Sequence, residues 1–322
     1  MGLFSSPKRE LEKYFLRHPD VKTIVIAGSF GRTSAVRALG AILGQVYTVT
    51  MGVNRSVAAP DIVLLDFGSL TYFPNIIPDF TVITSVTETG EQPSAAPGYF
   101  DLANRSRRVL INREDIPPEH SQYLTNPNII TYGDELPANF YYEELEVDLH
   151  GYTGNFVNPS GQRIHAHVGL LGEHNLRPVI MAVAIAHTFA IPPEKIIAGV
   201  ATLRPVPGNL SPGRGGNGSI IIDDSSSTST LSIKLALRAI YEIEAPSRIL
   251  VTGPLDPSIT IDPSLISEVL ILDPSGAPPA NSTFRSFTTQ LNLLEYLATR
   301  LEPGAIVLLK TPLPDITTSK IL

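Results

Sequence analysis

The segment Thr23 to Ser34, TIVIAGSFGRTS, decides the fold. Thr23 to Ala27 is apolar and mostly β-branched, the composition of a strand buried on both faces, and Gly28 closes it. A helical pattern starts at Thr33 and runs to about Leu43. A strand, a short glycine turn and a helix, in that order, aim backbone N–H groups and the positive end of the helix dipole at one point, where a phosphate is well placed. The strict Walker pattern fails, because it asks for Gly where Ile26 stands and Lys where Arg32 stands. A plain strand-turn-helix junction also favours Gly and Ser, so spacing alone leaves both a phosphate site and a simple turn open.

Outward from this turn, Lys8 to Arg17 reads as a short amphipathic helix. Short apolar runs at Asp61 to Asp66, Thr81 to Val86, Val109 to Asn112 and Asn128 to Tyr132 each end in polar or turn residues. Strands alternating with helices favour a parallel sheet with crossover connections, an α/β fold. Leu145 to Leu171 has shorter alternating segments around Gly151, Asn158 and Gly161 that suggest hairpins, and Leu176 to Ala190 is a long apolar helix. Arg204 to Gly218, RPVPGNLSPGRGGNG, is so dense in Pro and Gly that no regular element is expected there. A second alternating layout follows, with strands at Ser219 to Ile222, Arg248 to Thr252, Glu268 to Leu272 and Ala305 to Leu309. Its helices are expected at Ser232 to Glu244 and Leu291 to Leu301. Two domains are therefore expected, 1–209 and 210–322.

Composition removes several classes of function. The 322 residues contain no Cys, so there is no disulfide framework and no thiolate, and any metal must be held by oxygen or imidazole. A net charge of −7 argues against a nucleic-acid partner and suggests no attraction to anionic lipid. The longest uncharged stretch, Ala38 to Asn54, is 17 residues with scattered Gly and Thr, short of a membrane span. The amino terminus, MGLFSSPKRELEKYF, places charges where a secretory apolar core would lie, so a cytoplasmic protein is expected.

Other motifs weigh less. Gly213 to Gly218 spells G-x-G-x-x-G but precedes a strand instead of following one, so a mobile loop is the better reading. Asp66 and the pair Asp223-Asp224 end apolar strands, at the edge where α/β proteins bind ligands and where magnesium accepts carboxylates. A helix cap or turn role explains each of them equally simply. His165 and His167 share one face of a strand without an evident third metal ligand, and Ser225 to Ser229 has hydroxyls without an adjacent base.

Taken in order, these segments resemble the Mur ligase family, which joins amino acids or peptides to peptidoglycan precursors using ATP. TIVIAGSFGRTS is similar to its strand and phosphate loop, G-T-x-G-K-T-[ST]. Gly172 to Pro178, GEHNLRP, is similar to G-x-H-N-x-x-N, and RPVPGN, Arg204 to Asn209, to P-V-P-G-R. Ile220 to Ile233, IIIDDSSSTSTLSI, parallels the I-I-D-D-S-Y-N-A-N-P-x-S-M of the branch that adds the terminal dipeptide, D-Ala-D-Ala. Leu301 to Lys310, LEPGAIVLLK, parallels L-x-P-G-D-x-V-L-x-K. The resemblance implies a P-loop-type parallel-sheet, ATP-binding central domain followed by a Rossmann-like α/β carboxyl-terminal domain, with the nucleotide between them. It also implies a chain truncated relative to the family, without the amino-terminal UDP-sugar domain.

By the same resemblance, Gly28, Ser29, Gly31, Arg32, Thr33, Ser34, Asn175 and Asp224 are expected at ATP, and Thr33 and Asp66 at Mg2+. Arg32, His174 and Lys310 are the catalytic candidates if the site is active. The motifs are degenerate. Arg32 replaces the loop lysine, Asp66 a longer glutamate and Gly90 a magnesium-binding histidine. Pro178 and Asn209 replace Asn and Arg, and Ser226 to Ser229 replaces Tyr-Asn-Ala-Asn. No Lys lies between Lys22 and Lys195, so neither a loop lysine nor a carbamylated lysine can exist in the central domain. The expectation is a catalytically impaired or noncatalytic relative that binds a nucleotide, a cell-wall precursor or a genuine ligase partner. The alternatives are a working amide ligase that obtains its UDP-sugar-binding domain from another chain, and a structural interaction module without ligand.

Overall fold

The computed structural model describes residues 7–28, 31–53, 59–67, 75–86, 96–114, 116, 118–276 and 284–313. The chain divides into two compact units. The first comprises Met1–Leu145, Thr153–Val168 and Asn175–Leu203, and the second Glu146–Tyr152, Gly169–His174 and Arg204–Leu322. They part just before the expected 209/210 boundary, and two earlier segments go with the second unit.

The first unit starts with α1 (Pro7–Arg17), β1 (Lys22–Ala27), α2 (Arg32–Leu43), β2 (Val49–Met51), β3 (Ile62–Asp66) and β4 (Phe80–Ile83). It continues with α3 (Ala96–Arg105), β5 (Arg108–Asn112), α4 (Pro118–Ser121) and β6 (Ile129–Tyr132). These six strands form one sheet in the order β2-β3-β1-β4-β5-β6, and every pair is parallel. Ile24, Val25, Ile26 and Ala27 have no exposed surface, as the unbroken apolar run requires of a central strand. From β1 the chain turns toward β2 and β3, and from β4 toward β5 and β6. The carboxyl ends of β1 and β4 therefore flank the point where strand order reverses, the usual ligand crevice of such sheets.

Strands β7 (Tyr141–Asp148), β8 (Gly151–Val157) and β9 (Arg163–Val168) form a three-stranded sheet in the expected hairpin region. On β9, Ile164, Ala166 and Val168 are buried while His165 and His167 are exposed, the period-two pattern of a half-buried strand. Helices α5 (Leu176–Thr188) and α6 (Pro193–Val200) pack against α2. Helix α2 buries Ala35, Ala38, Leu39, Ile42 and Leu43, spaced at three and four residues along one face.

The second unit contains β10 (Ser211–Arg214), β11 (Ile220–Asp223), α7 (Thr230–Tyr241), β12 (Arg248–Thr252) and β13 (Glu268–Leu272). It ends with β14 (Phe284–Phe287), α8 (Gln290–Ala298) and β15 (Ile306–Leu309). The sheet order is β10-β11-β15-β12-β13-β14. Alternate residues serve opposite faces: Ile222, Leu250 and Leu308 pack with Ile233, Leu237 and Ile240 of α7. Ile221, Val251 and Val307 pack with Leu293, Leu294 and Leu297 of α8.

The Pro- and Gly-rich segment departs from expectation. Ser211–Arg214 is an edge strand, antiparallel to β11, with Ser211 opposite Asp223 and Arg214 opposite Ile220. Gly216–Gly218 forms a 3-10 turn, so Gly213 to Gly218 is regular structure and not a mobile loop. An edge strand needs ladder hydrogen bonds on one side only, which is why Pro212 is tolerated within it. No helix among the described residues is long and apolar enough to cross a membrane.

Candidate functional site

At the end of β1, Gly28 adopts φ +134°, and a Cβ built on it would lie 2.4 Å from Thr84 Oγ1 and 2.9 Å from the Ser85 nitrogen. Only glycine fits there, because β4 closes on β1 just beyond its last rung, where the Thr84 N–H donates to the Ala27 carbonyl at 2.9 Å. Gly31 caps α2 with φ +81°, and among the described residues no side chain caps the helix start. Among the described residues no side-chain acceptor meets the first-turn N–H groups of α2, and a helix start of this kind can receive an anion. Thr33 is exposed in that first turn and Ser34 is half-buried. Ser29, Phe30 and Gly90 lie outside the described residues.

Arg32 does not extend away from this turn. Its Nε donates to Asp66 Oδ1 at 2.9 Å, and its Nη1 donates to the Gly28 carbonyl oxygen. Asp66 ends β3, directly beside Ile26 of β1. The guanidinium therefore ties the strand end, the helix start and the neighbouring strand together. The resemblance assigned Arg32 to phosphate and Asp66 to magnesium, and here the two hold each other. Their side chains are 26% and 25% exposed, and a pair this wet contributes about 1 kcal/mol or less, weak enough for a phosphate to compete for the guanidinium.

Magnesium at a nucleotide needs only one or two protein carboxylates beside phosphate oxygens and water, so its fit here turns on Asp66. The carboxylate of Asp66 is already compensated, and Asp134, past the end of β6, is gripped at both oxygens by Arg177. In that fork Nε reaches Oδ1 at 3.0 Å and Nη2 reaches Oδ2 at 2.6 Å. Burial first, and then the Asp134 charge, push the nearby Glu114 carboxyl above its ordinary range. Residue types alone marked neither Arg177 with Asp134 nor the Thr84-Ser85 pair. The available signal was a polar residue directly after an apolar strand.

In the second unit, Lys310 is completely buried and donates from Nζ to Asp224 Oδ2 at 2.5 Å and to Ser232 Oγ at 2.8 Å. The Leu210 N–H donates to Asp224 Oδ1 at 3.1 Å. Burial pushes the Asp224 carboxyl up and the Lys310 ammonium down, each opposed by the other's charge. The resemblance expected Asp224 at the nucleotide and Lys310 at the chemistry. The structure pairs them in the interior as a brace between β11, β15 and α7. The serine run acts locally: Ser229 Oγ accepts the Ser232 N–H at 3.2 Å and caps α7, and Ser226 Oγ donates to Asn209 Oδ1 at 2.6 Å.

His174 belongs to the second unit and lies in the 3-10 turn Glu173–Asn175, its ring filling the space that a Cβ on Gly172 would take. Asn175 is the N-cap residue of α5 in the first unit. His165 Nδ1 pairs with Asn155 Oδ1 at 3.1 Å and His167 Nδ1 with Thr153 Oγ1 at 3.0 Å, so both imidazoles belong to the polar face of their sheet.

By fold, the chain is of the Mur ligase type: it resembles the central and carboxyl-terminal domains of those enzymes. The relatives make this specific. The chain is 22% identical to UDP-N-acetylmuramoyl-tripeptide--D-alanyl-D-alanine ligase of Bacillus subtilis, over 94% of this chain and 75% of that one. It is 26% identical to UDP-N-acetylmuramate--L-alanine ligase of Thermobifida fusca, spanning 55% of this chain and 42% of that one. Among solved structures, MurF ligase from Thermotoga maritima in complex with ADP superposes with a TM-score of 0.73 at 15% identity, covering 96% of this chain and 81% of that one. The apo form of L. casei FPGS gives a TM-score of 0.68 at 14% identity, covering 97% and 93%. No family model matches the chain.

Proposed function

We propose that this protein is a Mur-ligase-like, noncatalytic nucleotide-binding relative of the ATP-dependent amide ligases. It takes up the phosphate groups of ATP or ADP at the glycine turn before α2 and does not complete amide-bond formation. The observation that carries this reading is the Arg32–Asp66 pair, with Arg32 also bonded to the Gly28 carbonyl. It leaves a cation and the start of α2 facing one turn, which suits a phosphate. It also pairs the strand-end carboxylate that the resemblance assigns to a metal.

A bound nucleotide would supply a phosphoryl group for transfer to a substrate carboxylate. In this chain the residues support only the holding part. Gly28 and Gly31 let the backbone turn closely enough to present the N–H groups of α2, and Arg32 supplies charge at the mouth. Lys310 and Asp224 brace their own sheet, so neither is offered as a catalytic residue. A cell-wall precursor or a genuine ligase remains the proposed downstream partner, with cytoplasmic residence as part of the same proposal.

The test is phosphate release by the purified full chain with ATP and Mg2+, with UDP-N-acetylmuramoyl-tripeptide and D-alanyl-D-alanine as co-substrates. No release above the protein-free blank is expected. Precursor-dependent release would establish the alternative, a working ligase that completes its acceptor site with another chain.

A further inference from the structure

We propose that His165 and His167 form a two-imidazole chelate for a divalent transition-metal ion, bound through their Nε2 atoms on the polar face of the sheet β7-β8-β9, with Cu2+ bound most tightly. The site shares no residue with the glycine turn and stands independently of the phosphate reading.

The two histidines are two residues apart on β9, which puts their Cα atoms about 6.6 Å apart, so that rings leaning toward one another can share an ion. Both are exposed. Each ring is tied through Nδ1: His165 to Asn155 Oδ1 at 3.1 Å and His167 to Thr153 Oγ1 at 3.0 Å. The proton on His165 follows from its neighbours. Asn155 Nδ2 donates to Glu144 Oε2 at 2.6 Å, and a carboxylate only accepts, so Asn155 must turn its side-chain oxygen to the ring. His165 Nδ1 therefore carries the N–H, and its Nε2 keeps the lone pair that a metal takes. A metal-binding histidine is ordinarily held in this way, with the other ring N–H donated to an oxygen behind it. Thr153 Oγ1 can accept from His167 Nδ1 in the same sense.

The backbone of β7 bends to supply this relay. Glu144 has φ +54°, a left-handed conformation uncommon outside glycine. The alternation of β7 changes phase there. Tyr142 is buried ahead of it, and Glu143 and Glu144 both carry carboxylates to the polar face, Glu143 to Arg163 and Glu144 to Asn155. A regular strand would turn Glu144 to the opposite face. Asn155 itself is buried, and Arg163, on the same face of β9 as the histidines, has its charge offset by Glu143. No cluster of three His, Asp or Glu forms among the described residues, so the donor set is two imidazoles and water. Imidazole suits Cu2+, Ni2+ and Zn2+, and the general order of affinities places Cu2+ first.

The experiment is calorimetric titration of the full chain, free of any histidine tag, with CuCl2, together with electron paramagnetic resonance of the Cu2+ complex. One Cu2+ per chain is expected, with hyperfine structure from two imidazole nitrogens. His165→Ala and His167→Ala, both at exposed positions, should each weaken binding about a hundredfold, because the second ligand acts at high effective concentration. Glu144→Gly suits the left-handed backbone while removing the carboxylate, and should weaken binding about tenfold by releasing the Asn155 relay. Circular dichroism checks the fold of each variant. Wild-type protein that binds no Cu2+, or that binds it no more tightly than either alanine variant, would overturn the chelate. Unchanged affinity in Glu144→Gly would overturn the part given to Glu144 and Asn155.

Discussion

At Arg32 the exchange of lysine for arginine changes geometry more than charge. A planar fork can hold Asp66 and the Gly28 carbonyl together, whereas a lysine ammonium is a compact point charge on a flexible stem. Arg32→Lys is therefore expected to loosen the tie on Asp66 and make ATP binding respond to magnesium, with an affinity gain of about threefold or more on adding the ion. Calorimetric titration with ATP in EDTA and in excess Mg2+ reads this, and equal affinity in the two buffers contradicts it. In the second unit, Lys310→Met would leave the Asp224 carboxylate buried without its counter-ion. A loss of about 3–5 kcal/mol in urea unfolding is expected, largely recovered in the double variant Asp224→Leu/Lys310→Met, which removes both charges. A double variant as unstable as the single would show that the brace acts through packing. Sequence marked all four of these residues as candidates. It could not show that they pair with one another, because Arg32 meets Asp66 only through the register of β1 on β3, and Lys310 meets Asp224 only through that of β15 on β11.

At the level of elements, β13, β14 and α8 are joined by one buried carboxylate. Glu268 accepts from Arg285 Nε at 2.8 Å, Tyr296 Oη at 2.5 Å and Arg300 Nε at 3.1 Å. Burial alone would raise its pKa, but these donors outweigh it and hold the carboxyl below its ordinary 4.5. A lowered folded-state value means that the contribution is complete above 4.5 and is lost as pH falls through the folded-state pKa. Glu268→Gln should cost about 1–3 kcal/mol at pH 7, with the gap to wild type closing below pH 4.5. Urea unfolding across pH 3–7 measures it, and a gap independent of pH would mean that the charge contributes nothing. The long, strongly patterned elements were legible from apolar periodicity alone, β1, α2, α5 and β12 among them. The short strands β2 and β14 carry too few residues for a period, and β10 was hidden because Pro and Gly signal turns. An edge position asks only for backbone pairing. Helix α6 went unread because its Pro193-Glu194 start follows a second proline and its apolar face is brief.

For the whole molecule, two units with mainly parallel sheets and the order of their motifs gave the family resemblance, and relatives at 22–26% identity agree with it. The chain spans 75% of one curated relative and 42% of another, so the activity of a whole ligase is a matter for experiment. The division of labour follows from where charge is spent. The first unit holds Arg32 at a glycine turn and at a helix start with no side-chain cap among the described residues, and the second turns Lys310 and Asp224 inward. The sequence shows plainly that no Lys lies between Lys22 and Lys195. It does not show how Arg32 is used, which depends on three-dimensional register. The most direct test of the central claim is amide hydrogen exchange of the full chain with and without saturating ATP. Slowed exchange is predicted in the segment from Gly28 to Val36, at the turn and first turn of α2. Unchanged exchange there, with ATP present at saturating concentration, would contradict it.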